Sequence, residues 1–130
     1  LGEKDDNEMY ITHNGIYKSA GIKKVQAGTG DYDDAVQIQT SQASRILGGL
    51  MARHKEKCLM KIDCEGAEYG ILKDLSDNGY MKRINVIIME WHVGKYRQLE
   101  ELLKNAGFDY VLNKTVRDFG MCYMWNRNCR

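Results

Sequence analysis

Residues 58–75, CLMKIDCEGAEYGILKDL, change their periodicity halfway along, and that change limits the folds open to the chain. Cys58, Leu59, Met60 and Ile62 form an apolar run too short for a helix. Its density suits a strand buried on both faces, as in a parallel sheet. Asp63 stands at the C-terminal end of the run, with Glu65 and Glu68 close behind. Gly66 permits a tight turn, after which Ala67, Ile71, Leu72 and Leu75 fall on one helical face. A strand that passes through a glycine turn into an amphipathic helix is half of a βαβ unit. The chain is therefore read as a layered α/β domain.

The flanking segments extend this pattern. Asn14-Gly15 lies between two β-rich runs in residues 8–18 and predicts a hairpin. Residues 19–34 read as a surface loop with a weak strand around Ile22 to Gln26. Val36, Ile38 and Thr40 alternate with glutamines, which predicts a half-buried strand. Ser41 is placed to cap a helix carrying Ile46, Leu47 and Leu50, which Gly48-Gly49 should weaken. Asn78-Gly79 ends the central helix before a second buried strand, Ile84 to Trp91. Tyr96, Leu99, Leu102, Leu103 and Ala106 make a third helical stripe, closed by Gly107. Two antiparallel strands follow, Phe108 to Val116 and Met121 to Asn126. The expected organisation is a hairpin and loop region over 1–34 and an α/β domain over 35–130.

Ligands of open α/β sheets bind beyond the C-terminal strand ends. Two consecutive strands end in polar groups here, Asp63 with Glu65 and Glu90 with His92. The unperturbed pKa of a histidine suits a general base at neutral pH, which makes His92 the candidate. Structural readings stand beside these. Glu65 and Glu68 occupy a first helical turn, where the dipole favours carboxylates, His92 can serve as a strand-end hydrogen bonder, and Trp91 reads as core.

The block KIDCEGAE, the strand VIIMEWH and the trailing LLKNAGF together resemble an FkbM-type S-adenosylmethionine-dependent methyltransferase over roughly residues 35 to 126. The resemblance implies a partial Rossmann-like sheet, with equivalents of strands 4 to 7 preceded by the hairpin. It implies S-adenosylmethionine as cofactor, with Asp63 bordering it, and Glu65, Glu90 and His92 as the catalytic group facing a small-molecule or glycan acceptor. The family's glycine-rich loop is absent. Ala27-Gly28-Thr29-Gly30-Asp31 follows a weak strand and precedes no helix, so it does not fit that role. The chain is accordingly expected to be the C-terminal part of a longer enzyme, without turnover alone. The alternative is a methyltransferase-derived module that binds or self-associates.

Composition narrows the partners. The 130 residues carry a formal net charge of +1, which gives no electrostatic reason to expect nucleic acid or an anionic membrane. No apolar stretch is long enough to span a bilayer. The cysteines Cys58, Cys64, Cys122 and Cys129 form no CxxC pair and no zinc spacing with the histidines, so free thiols, no metal and a cytoplasmic location are expected. The resemblance implies that the parent fold's first strand would lie upstream of Leu1, and the 58–63 strand is then expected to have a bare edge, a template for another strand. Either the N-terminal strands close it or two chains meet there as a homodimer.

Overall fold

The computed structural model describes residues 1, 6–12, 22–24, 35–64, 66–92, 96–116 and 119–129. The elements run β1 (Asp6–Thr12), β2 (Ile22–Lys24), β3 (Ala35–Thr40), α1 (Ala43–Arg53), β4 (Leu59–Ile62), α2 (Glu68–Asp77), a 3-10 turn (Tyr80–Arg83), β5 (Val86–His92), α3 (Tyr96–Asn105), β6 (Phe108–Val116) and β7 (Phe119–Asn126). They make a three-stranded sheet of order β2-β1-β3 and a four-stranded sheet of order β4-β5-β7-β6.

β1 is the middle strand of the first sheet, with Thr12 opposite Ile22 on one side and Tyr10 opposite Val36 on the other. The Asn14-Gly15 turn lies outside the described residues. β3 pairs with β1 and not with β4, so this strand does not close the edge of the second sheet. Among the described residues, β4 remains an edge strand.

In the second sheet β4 and β5 are parallel, with Ile62 opposite Met89, and β7 is antiparallel to both β5 and β6. β4, β5 and β6 therefore run one way and β7 the other. Alternation along β5 buries Ile87, Met89 and Trp91. The register sets Met124 beside Ile87 and Cys122 beside Met89. This face packs against Leu72 and Leu75 of α2 and Leu99 and Leu103 of α3, all buried in one cluster with Ile62 and Phe108. Each large apolar side chain removed from water contributes about 2 kcal/mol.

The other face is not covered in the same way. Leu59 is 65% exposed, Val111 54%, Tyr123 46% and Trp125 45%. β4 is thus buried on one face only, contrary to the expectation for its apolar run. The register explains the disposition: Leu59, Val86, Trp125 and Asp109 form one row across the sheet, and Lys61, Ile88, Tyr123 and Val111 the next. Gly120 sits where β7 passes beneath Trp91; a Cβ there would lie 2.2 Å from the Asn113 carbonyl oxygen.

α1 departs most from its sequence reading. Its buried residues are Ala43, Ser44 and Met51, whereas Ile46 and Leu50 are exposed. No side chain from Ser41 or Gln42 caps the helix end locally. The cap comes from α2: Asp74 Oδ2 accepts the Ser44 amide at 2.6 Å, and Oδ1 accepts Ser44 Oγ at 3.1 Å and Gln42 Nε2 at 2.7 Å. At the far end Arg83 donates to the Met51 carbonyl at 2.8 Å. An anion at the N-terminus and a cation at the C-terminus both complement the helix dipole. Gly48 has a packing role, since a Cβ there would lie 2.3 Å from Tyr80 Oη.

Asp74 is 3% exposed, and removing it leaves several donors without an acceptor. Asp74→Ala is expected to lower stability by about 3 kcal/mol and the melting temperature by roughly 10 °C. Asp74→Asn should lose less, as read by thermal denaturation.

Candidate functional site

The register of β4 and β5 builds the site. With Ile62 opposite Met89, the residues that follow bring Asp63 beside Glu90, and His92 lies two positions further along β5. Ligating atoms of Asp63, Glu90 and His92 all fall within 4.8 Å of one another. His92 Nε2 is 3.9 Å from Glu90 Oε1, and Lys61 Nζ is 3.8 Å from Asp63 Oδ2. The group is half open to solvent: side-chain exposure is 39% at Asp63, 34% at Glu90 and 15% at His92. Three of the four expected site residues thus meet at one sheet edge. Glu65 lies outside the described residues.

The residue missed from sequence is Glu68. It opens α2 and its side chain is 4% exposed. Its Oε1 lies 2.9 Å from His92 Nδ1. The same carboxylate accepts the Cys64 amide at 3.2 Å and the Gly66 amide at 3.1 and 3.0 Å. Gly66 reaches this geometry at φ 111, where a residue with a Cβ is strained. First-turn position alone accounted for a carboxylate at 68, so sequence offered no separate signal that it reaches a histidine on another strand. Trp91 is 3% exposed and belongs to the core, as read.

The local field shows in the thiols. Burial, then the charges of Glu68 and Asp63, push Cys64 up to about 11, and burial with a contribution from Glu100 pushes Cys122 up to about 12. All four cysteines are free thiols. The cleft lined by Lys55, Lys57, Arg83 and Asn85 lies at the N-terminal end of β4 and shares no residue with the carboxylate–histidine group.

A sheet of order β4-β5-β7-β6 with helices over its buried face, and polar groups at the C-terminal ends of its two adjacent parallel strands, is a partial Rossmann-like α/β domain. Comparison with protein families agrees: the model described as Methyltransferase FkbM domain matches residues 3–110. The chain belongs to the FkbM methyltransferase domain family. The match starts well before residue 35, so it takes in β1 to β3 as well as the KIDCEGAE block. Comparison with curated proteins and with solved structures gave no match. Among the described residues, no helix is long and apolar enough to cross a membrane.

Raised thiol pKa values fix a sign for pH dependence. The fold favours the neutral thiols, and the unfolded chain ionises near the ordinary cysteine value of 9.0. This contribution is complete below pH 9 and is lost as pH rises towards 11 and 12. Thermal melts from pH 7 to 11 should therefore show stability falling above pH 9, and Cys122→Ala should show a shallower fall.

Proposed function

We propose that this domain serves an S-adenosylmethionine-dependent O-methyltransferase, with Glu90 and His92 on the acceptor side of its site, Asp63 bordering both cofactor and acceptor, and Glu65 as a further catalytic carboxylate. The observation that carries this reading is the convergence of Asp63, Glu90 and His92 at one sheet edge, in a chain of a methyltransferase family. The cofactor supplies an electrophilic methyl group on a positively charged sulfur. The exposed Asp63 carboxylate suits the cationic portion of such a molecule, and Asp63 is the residue assigned to hold it. Residues 27–31 lie outside the described residues.

Methyl transfer to oxygen is an in-line displacement, so the protein's work is alignment and proton removal. A hydroxyl seated among Asp63, Glu90 and His92 meets acceptors for its proton and carboxylates for its neighbouring hydroxyls. That favours a polyhydroxylated small molecule or glycan over an anionic acceptor, which the two carboxylates repel. In a longer form that turns over, His92→Ala should lower kcat by about 100-fold. Asp63→Asn should weaken cofactor binding by roughly tenfold in calorimetry, about 1.4 kcal/mol. Full activity of His92→Ala would return that residue to a structural role.

A second reading has its own observation. Among the described residues β4 is an edge strand; it carries exposed Leu59, and Tyr123, Trp125 and Val111 continue the apolar face. These features suit a module that self-associates through the β4 edge into a homodimer. Light scattering across a concentration series should show dimers that Leu59→Lys abolishes. A monomer at all concentrations would leave the enzyme reading alone.

A further inference from the structure

Glu68 presents a problem that its helical position does not solve. A carboxylate at the first turn of a helix is favoured by the dipole while fully solvated. This one is 3% exposed, and taking a carboxylate out of water costs several kcal/mol unless its oxygens are fully matched. Two backbone amides, of Cys64 and Gly66, match part of it and close the turn after β4. The remaining partner is His92 Nδ1 at 2.9 Å, on a different element and 24 positions along the chain. A turn-closing role alone requires no such contact.

An ionised carboxylate offers acceptors only. The nitrogen facing it therefore carries the proton, and the neutral ring is held as the Nδ1–H tautomer. Its other nitrogen, Nε2, then has the lone pair. Nε2 is on the side of the ring facing Glu90 Oε1, at 3.9 Å, and it belongs with Asp63 and Glu90 to the group whose atoms lie within 4.8 Å of one another. Among the described residues, charged groups placed around the ring are Glu68 from α2, Glu90 from β5 itself, and Asp63 from the end of β4 with Lys61 at 3.8 Å from it.

We propose that Glu68 is the positioning residue of His92: it fixes the Nδ1–H tautomer and turns Nε2, as the proton acceptor, towards the acceptor site formed with Asp63 and Glu90. The chemistry assigned to Nε2 rests on the methyl-transfer reading; the tautomer and its cause do not. In the balanced step, the acceptor hydroxyl gives its proton to Nε2 as its oxygen bonds to the methyl carbon. The carbon–sulfur bond breaks with its electron pair left on sulfur, so the sulfonium becomes a neutral thioether and the ring becomes an imidazolium between Glu68 and Glu90. Release of that proton to solvent restores the base.

The test is nitrogen-15 NMR of the histidine rings in the intact chain, with wild type, Glu68→Ala and Glu68→Gln compared at a pH where the ring is neutral. Wild type should show His92 protonated at Nδ1. Glu68→Gln, whose amide oxygen can still accept from Nδ1–H, should keep that tautomer, and Glu68→Ala should return the ring to a mixture of both. Where turnover is measurable, Glu68→Ala should lower kcat by about 10- to 100-fold with KM changed less than about twofold, and Glu68→Gln should recover part of the loss. An Nε2–H ring in wild type, or an unchanged tautomer in a folded Glu68→Ala, overturns the proposal. If Glu68→Ala does not fold, the wild-type tautomer still decides. An Nδ1–H tautomer in a protein that transfers no methyl group in any form counts against the enzyme reading and leaves the Glu68 assignment standing.

Discussion

Burying a carboxylate is costly enough that every one of its partners is conscripted, and α2 does this twice. Glu68 and Asp74 are each 3% exposed. Glu68 draws in the turn after β4 and the end of β5; Asp74 draws in the start of α1, and Asn78 Nδ2 also donates to it at 2.9 Å. Apolar packing of α2 on the sheet stabilises the fold, yet it is not directional. The two carboxylates supply direction. They set where α1 begins and how the site turn closes, because any other placement strands a charge in the interior.

Directional contacts of this kind also decide what sequence reveals. Ile71, Leu72 and Leu75 on α2, and Leu99 and Leu103 on α3, were legible because periodicity reports a buried face directly, and each is buried. The meeting of Asp63, Glu90 and His92 followed from a parallel pair ending at matched positions. Ser41 as a cap was not realised, since a tertiary partner from α2 outcompeted the local one. Ile46 and Leu50 looked like a core stripe, but burial of α1 follows its anchors at Asp74 and Arg83. β4 read as buried on both faces because apolar density says nothing of whether a second layer lies opposite.

Electrostatics ties the site to the scaffold in a way that neither reveals alone. The pair at His92 and the turn amides share one oxygen of Glu68, so the ring's orientation and the backbone of the turn are set by the same atom. Cys64 registers this field from within the turn, and its raised pKa keeps it a thiol at neutral pH.

The sheet order carries a consequence for synthesis. β7 follows β6 in the chain but sits between β5 and β6 in space. As the chain leaves the ribosome, β4 and β5 can pair early, but β6 emerges with no partner strand and must wait for β7 to slot in beside β5. The interior face of the sheet, with Met124 and Cys122 from β7, is incomplete until then. Completion of the four-stranded sheet thus waits until β7 has been synthesised, and nascent chains stalled before β7 present apolar strand edges to chaperones or to one another.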